Sequence, residues 1–178
     1  MSGAEQDTPS RLTLRQLLST WQEVPAFLRD RYLTVVASND LARALSPAFT
    51  EGANLARFTF LDRPPGRRTA RCEPLEYQVA AMLRESVDHH RDDGHFRVLV
   101  GELSALSREF ATAWASPVRI ERTGEVELHS DTVGALTMTY TELLIPDDDE
   151  DRLLIWRSTD QSSRDALGRL RDQLVAGT

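Results

Sequence analysis

The densest group of possible metal ligands in this 178-residue sequence lies at positions 88–95. Asp88, His89 and His90 are consecutive there, and two aspartates and His95 follow. Consecutive residues of a helix point about 100° apart, so the neighbouring histidines do not readily bind one ion. The spacing matches neither the H-E-x-x-H zinc motif nor an EF-hand loop. We therefore predict a solvated helix end, and no metal site in the chain.

Nucleophilic and acid–base chemistry has few candidates. Cys72 is the one cysteine, so an internal disulfide is impossible and a reducing, cytoplasmic location is expected. The chain contains no lysine and none of the Gly-x-Ser-x-Gly, Gly-x-Gly-x-x-Gly or P-loop patterns. His129 could donate a hydrogen bond to a ligand, but we favour a structural role for it in a strand. We expect no catalytic residue and no cofactor.

Composition narrows the possible partners further. The formal net charge is −7, and all 21 basic residues are arginine, which fits GC-rich coding and an actinobacterium-like host. An acidic chain neutralises phosphates poorly, and the densest basic stretch, 63–71, contains two prolines and a glycine typical of a loop. The apolar runs are far shorter than the roughly 20 residues of a membrane span. Direct DNA binding and membrane insertion are therefore not expected.

Hydrophobic periodicity predicts the elements that would position a site. Spacings of three and four residues predict helices at 12–21, from Asn39 to about 46, 74–91, 95–106, 107–116 and 162–174, with Asn39 as a helix N-cap. A hairpin is predicted from strands 26–28 and 32–37 joined by 29–31. The segment 58–62 is a packing segment that ends in a turn.

After Pro117 the apolar period becomes two. It predicts four antiparallel strands: one around 118–120, one around 126–128 after a turn at Thr123-Gly124, one at 136–141 and one at 153–156. The acidic run 147–151 lacks the glycine of a calcium loop and is interpreted as a solubilising turn. Helices followed by an antiparallel sheet indicate an α+β fold of about five to six strands. Residues 1–11 are expected to be a flexible end and 12–176 a single domain.

The order of these segments resembles the ligand-binding domain of MmyB-like transcription regulators. The resemblance covers about 14–174 and rests on 17–27, 33–39, 41–45, 57–62, 107–110 with Trp114, His129, 134–140 and 143–147. It departs at 75–77, where relatives often carry a tryptophan. The resemblance implies a PAS-like sheet and helices around a pocket for a small molecule. It also implies that DNA is bound only through a helix-turn-helix module, which is not present in this chain.

Large rings at inward-facing positions fit such a pocket, although they are equally typical of an ordinary core. Met82 and Met138 could adapt to more than one ligand. Asn39 is included among the candidates although a capping role is favoured for it. The candidate ligand-binding residues are Phe27, Val35, Asn39, Phe58, Phe60, Tyr77, Met82, Phe96, Val100, Phe110, Trp114, His129, Leu136, Met138, Tyr140 and Trp156.

Three functions remain open from the sequence. The first is a regulatory domain that senses an apolar or amphipathic, acyl-chain-like metabolite and acts as a homodimer or as a heterodimer with a related regulator. The second is a stand-alone interaction module that forms mixed dimers with a full-length regulator. The third is a small cofactor-independent enzyme that uses the same pocket, with His129 as its acid–base candidate.

Overall fold

Helices make up the larger part of residues 8–62, 73–145 and 148–176, the ranges that the computed structural model describes. The α-helices in these ranges are α1 Pro9–Thr20, α2 Asp40–Leu45, α3 Leu55–Arg57, α4 Glu73–His89, α5 Gly94–Leu106, α6 Arg108–Ala115 and α7 Gln161–Ala176. A 3-10 turn spans Pro47–Phe49, and a π-helical segment, Phe58–Asp62, continues α3. The predicted helices are confirmed with small shifts at their ends.

Side-chain caps explain where several helices begin. The side-chain oxygens of Thr8, Asn39, Asp93 and Ser107 accept hydrogen bonds from backbone N–H groups in the first turns of α1, α2, α5 and α6. Each cap satisfies a donor that has no partner inside its helix. The predicted capping role of Asn39 is thus confirmed.

The strands form one antiparallel sheet. They are β1 Ala26–Arg29, β2 Val35–Ser38, β3 Thr123–Ser130, β4 Gly134–Ile145 and β5 Asp148–Ser158. Their order across the sheet is β2-β1-β5-β4-β3, so the amino-terminal hairpin joins the carboxyl-terminal meander through β1 and β5. The α+β prediction with an antiparallel sheet of five strands is therefore confirmed.

The predicted strand around 118–120 is wrong, and so is the predicted turn at Thr123-Gly124, because β3 begins there. The side chain of Gln78 in α4 makes hydrogen bonds with the backbone of the segment that was predicted to pair as this strand. It donates to the carbonyl of Arg119 at 3.2 Å and accepts from the N–H of Glu121 at 2.8 Å. These bonds hold the segment to α4 instead of to a neighbouring strand.

The first hairpin also differs from its prediction. β2 begins at Val35 rather than at Tyr32, because Leu33 adopts a left-handed conformation with φ 65° and is completely buried. The N–H of Thr34 donates to Oδ1 of Asp30 at 2.8 Å, which closes the loop. A left-handed leucine is rare, and no local pattern announces it.

The acidic segment is only partly a turn, because β5 begins at Asp148. Asp151 is completely buried, and its carboxylate accepts two hydrogen bonds from Arg11 of α1, at 2.6 and 2.8 Å. The prediction of a solubilising turn over 147–151 is therefore wrong at Asp151. Residues 146–147, like Cys72 and the arginine-rich 63–71, lie outside the described residues.

Apolar side chains cover both faces of the sheet. On one face α1 packs through Leu18 against Leu28 of β1 and Leu153 of β5. On the other face the larger core lies between the sheet and helices α2–α7. Along β4 the side chains at 136, 138, 140 and 142 are buried and alternate with more exposed threonines, as the period of two predicts. The larger core is where a cavity occurs.

Candidate ligand-binding cavity

An apolar cavity of about 60 Å³ lies between the inner face of the sheet and the helical segments that cover it. The sheet contributes side chains from β1, β3, β4 and β5, and the rest of the wall comes from 46–59 and α4. The lining residues are Phe27, Ser46, Ala48, Phe49, Leu55, Phe58, Thr59, Leu75, Val79, Met82, Leu128, Tyr140, Leu154 and Trp156. None of these residues carries a charge, so the cavity favours an apolar occupant.

Four aromatic rings form a continuous part of this wall. The rings of Phe27 and Phe49 stack with their centroids 4.6 Å apart. Trp156 follows, with its ring centroid 5.1 Å from Phe49 and 5.6 Å from Tyr140. Such offset contacts are favourable beyond the area that they bury, and they hold the rings in place. The aromatic wall is therefore a preformed surface.

The volume of the cavity limits what it holds. One buried water needs about 10–15 Å³, and an apolar cavity of about 150 Å³ is known to hold benzene. About 60 Å³ therefore has room for a group of a few heavy atoms. A longer acyl chain requires lining side chains to move, and Met82 in α4 is the flexible one among them.

Two polar groups in the wall are already engaged. The hydroxyl of Tyr140 donates to the carbonyl of Glu121 at 3.0 Å, and burial, followed by the nearby charges of Glu121 and Glu142, raises the pKa of Tyr140 to about 12. The hydroxyl of Ser46 accepts from the N–H of Ala48 at 3.3 Å. Tyr140 is thus a neutral, structurally bonded part of the wall.

Larger concave regions lie elsewhere on the surface of the described structure, and two of them have polar walls. One, of about 360 Å³, lies beside α1, α2 and α7, and the other, of about 460 Å³, lies beside β1 and α4. Their walls contain arginines that already pair with carboxylates, such as Arg15 with Glu51 and Arg122 with Glu85. The smaller apolar cavity is therefore the better candidate for a small-molecule site.

A family model described as the MmyB-like transcription regulator ligand binding domain matches residues 11–170. The chain belongs to this family. The cavity thus lies in a ligand-binding domain of a transcription regulator family, as the sequence resemblance predicted. No match was found among curated proteins.

Solved structures similar to this MmyB-like domain have low sequence identity to it. The PAS domain of BvgS from Bordetella pertussis is 10% identical, with a TM-score of 0.39, and the match covers 95% of this chain and 99% of that one. The PAS domain of an HTR-like protein from Haloarcula marismortui is 11% identical, with a TM-score of 0.37 and coverages of 83% and 90%. The phage VqmA–DPO complex is 13% identical, with a TM-score of 0.39; the match covers 93% of this chain and 58% of that one.

Five of the sixteen candidate residues line the cavity of the MmyB-like domain: Phe27, Phe58, Met82, Tyr140 and Trp156. Eleven do not: Val35, Asn39, Phe60, Tyr77, Phe96, Val100, Phe110, Trp114, His129, Leu136 and Met138. Most of these eleven belong to the surrounding core. Periodicity identifies the inward face of an element, but it does not tell which inward side chains border a void.

Several aromatic candidates that do not line the cavity make ring contacts around α5 and α6. The ring of Phe110 is 5.1 Å from Phe60 and 5.3 Å from Trp114. Phe96 packs against Tyr32 at 4.8 Å. These rings pack within the core and do not line the cavity.

Asn39 and His129, two polar candidates, both lie outside the cavity wall. Every polar atom of the Asn39 amide is used: Oδ1 accepts from the N–H groups of Ala26 and Ala42, and Nδ2 donates to the carbonyls of Trp21 and Val24. Asn39 therefore joins α2 to β1 and to the end of α1. His129 is exposed on β3 and is not among the residues that line the cavity.

Nine lining residues were not predicted: Ser46, Ala48, Phe49, Leu55, Thr59, Leu75, Val79, Leu128 and Leu154. Five of them come from 46–59, a run of short helical turns with weak periodicity. Leu154 could have been found, because it lies two residues before Trp156 and so shares its face of β5.

The histidines at the end of α4 have other partners. Nδ1 of His89 lies 2.7 Å from the carbonyl of Glu85, and Nδ1 of His90 lies 2.9 Å from that of Ser86. A carbonyl oxygen only accepts, so each Nδ1 is a donor. In the described parts of the chain, no group of three potential metal ligands occurs.

Proposed function

We propose that this domain binds a small apolar or amphipathic molecule in the cavity and thereby controls an attached or partner DNA-binding module. The observation that carries the proposal is an aromatic-walled cavity, lined by uncharged side chains among the described residues, in a domain of a ligand-binding family. A molecule with an acyl chain requires the cavity to widen, whereas a compact apolar group fits the existing volume. In the ranges described, no helix is long and apolar enough to cross a bilayer.

Helix α4 is the element best placed to report occupancy. Three of its residues, Leu75, Val79 and Met82, line the cavity. On the same helix, Arg84 donates to the carbonyls of Ala113 and Trp114 in α6, at 3.1 and 2.7 Å. An occupant that displaces the cavity wall therefore acts on the packing of α4 against α6.

A second connection leads from α4 to the sheet. Gln78 bonds the backbone of Arg119 and Glu121, and the carbonyl of Glu121 accepts the hydroxyl of Tyr140 from the opposite wall. The ligand would shift the population of two packings of these helices by as much as its affinity for the two differs. A change in helix packing is then available to alter the arrangement of a homodimer or of a heterodimer with a related regulator.

The binding step is tested by filling the cavity. Ala48 lines the cavity and is 6% exposed, so Ala48→Leu places three additional carbon atoms in or against it. Native mass spectrometry of the purified chain, and thermal shift with short ketones, esters and fatty acids, identify ligands. We expect Ala48→Leu to abolish the stabilisation that a ligand gives to the unmodified chain.

The matched control is Ala111→Leu, on the exposed face of α6. This variant adds the same atoms away from the cavity and should retain the full ligand-induced shift. Equal shifts in both variants would contradict binding in this cavity. The absence of any stabilising or co-purifying molecule would count against the proposal as a whole.

The enzyme alternative has lost its acid–base candidate, because His129 lies on the surface of β3 and not in the cavity. The mixed-dimer alternative remains a separate hypothesis. Light scattering and a pull-down with a full-length relative of the same family test it directly. A monomer that recovers no such relative would exclude it.

A further inference from the structure

The indole N–H of Trp156 is a buried hydrogen-bond donor that has no partner among the described residues. Trp156 lies on β5, is 3% exposed and lines the cavity. A buried donor without an acceptor costs free energy, and native proteins contain few of them. Such a group at a candidate site suggests an acceptor that the described residues do not provide.

Two other buried nitrogens lack partners within the described ranges, but they differ from Trp156. They are the Nε atoms of Arg29 and Arg31. Each of these guanidinium groups makes bonds through its other nitrogens, Arg29 to Glu142 and Arg31 to Tyr32 and Glu150. The side chain of Trp156 has one donor and no other polar atom, so the whole hydrogen-bonding capacity of this side chain is unused.

The remaining wall of the cavity determines what kind of acceptor is suitable. Among the described residues no charged side chain lines it, and beside these residues an ionised carboxylate next to Trp156 would be buried without a counter-charge. A neutral carbonyl, ester or ether oxygen accepts one hydrogen bond and leaves no charge to compensate. The adjacent rings of Phe49 and Tyr140 then contact the apolar part of the molecule.

We propose that the cavity selects a compact, uncharged molecule with an acceptor oxygen, such as a small ketone or ester, that takes the hydrogen bond of the Trp156 indole. This inference rests on the proposed function, because it names the ligand class of the same cavity. Within the class of apolar or amphipathic ligands, it selects those that carry a neutral acceptor oxygen and place this oxygen beside β5.

The test compares three probes of equal chain length: pentan-2-one, pentane and pentanoate. In the 15N-labelled chain, the indole resonance absent from Trp156→Phe identifies Trp156. We expect pentan-2-one to move this resonance downfield, pentane to leave its hydrogen-bond state unchanged and pentanoate to bind most weakly. If Trp156→Phe does not fold, Trp21→Phe and Trp114→Phe assign the other two of the three indole resonances, the third belongs to Trp156, and its shift alone decides.

Affinities provide the second measurement. Trp156→Phe keeps an aromatic ring but removes the donor, so its affinity for pentan-2-one should fall roughly tenfold, the size of one hydrogen bond. Its affinity for pentane should change by much less, because pentane makes no hydrogen bond that the substitution could remove. Trp114→Phe, which alters a ring that does not line the cavity, should bind both probes as the unmodified chain does.

The possible failures are distinguishable. If pentane and pentan-2-one bind equally and Ala48→Leu blocks both, the acceptor inference is overturned while the proposed function stands. Tighter binding of pentanoate than of pentan-2-one would overturn the preference for a neutral oxygen. If none of the three probes binds, the inference is overturned, whereas the proposed function falls only if no other molecule stabilises or co-purifies with the chain.

Discussion

Gly124 on β3 lies directly opposite Tyr140 on β4, and the ring of Tyr140 occupies the space that a side chain at Gly124 would need. A Cβ at position 124 would lie 2.8 Å from Cε1 and 2.9 Å from Oη of Tyr140. The ring is held from its far end, because its hydroxyl donates to the carbonyl of Glu121. Glycine at this position therefore fixes the place of one cavity wall.

Gly124→Ala should destabilise the domain by roughly 1–3 kcal/mol, because the added methyl group forces the Tyr140 ring to move in a packed interior. Chemical denaturation measures this loss. The control is Gly101→Ala in the exposed part of α5, where a Cβ meets no atom within 4 Å. That change should stabilise by up to about 1 kcal/mol, since alanine is the better helix former. A loss of similar size in both variants would contradict the steric argument.

Elements with a clear period were predictable from the sequence. The alternation along β4 placed Tyr140 inward, and Tyr140 lines the cavity. Capping by Asn39 was also predictable, because asparagine before a helical pattern is a local signal. These features depend on neighbouring residues in the chain.

The rest depended on contacts between distant residues. Gln78 bonds a segment some forty positions later and prevents the strand expected at 118–120. Asp151, in an acidic run, is buried because Arg11 reaches it from α1. Phe49 lines the cavity and Phe96 does not, because of how the rings pack in three dimensions. The periodicity of the sequence carries no information about this packing.

Gln78→Leu should lower the free energy of unfolding by about 2–4 kcal/mol, because it removes two hydrogen bonds and leaves the carbonyl of Arg119 and the N–H of Glu121 without them. Gln173→Leu, on the exposed side of α7, is the matched control and should change stability by less than about 0.5 kcal/mol. Thermal unfolding followed by circular dichroism compares the two. Equal stability of both variants would show that the bonds of Gln78 contribute little.

Asp30 should make the stability of the domain depend on pH. Burial raises the pKa of Asp30 from 3.8 to about 6. The hydrogen bond from the N–H of Thr34 lowers this pKa but does not outweigh burial. The folded state therefore binds the proton more tightly than the unfolded state. The stabilisation of the folded state by protonation of Asp30 is complete below about pH 4 and is lost as the pH rises through 6.

Asp30→Asn keeps an acceptor for Thr34 and removes the titration. Between pH 4 and pH 7.5 the unmodified chain should lose about 2 kcal/mol of unfolding free energy relative to the variant. This value is reduced for the partial exposure of Asp30. Denaturation curves at several pH values measure it. A difference that stays constant with pH would contradict the raised pKa.

Glu142 should be the most costly charge to remove in the described structure. Its carboxylate is completely buried and pairs with Arg29, which is 3% exposed at its side chain, and with Arg122. Burial alone would raise the pKa of Glu142, but the charges and hydrogen bonds of Arg29 and Arg122 lower it overall. The stabilisation from this group is thus present above the ordinary range near 4.5 and is lost as the pH falls through the lowered pKa.

Glu142→Gln leaves the buried guanidinium of Arg29 without its carboxylate, so we expect a loss of about 3–5 kcal/mol at neutral pH. Glu85→Gln provides the control, because Glu85 pairs with the same Arg122 but is 33% exposed, and exposed pairs contribute about 1 kcal/mol or less. Urea denaturation at pH 7 separates the two values. A loss below 1 kcal/mol for Glu142→Gln would mean that water compensates Arg29, and that burial does not decide the strength of this network.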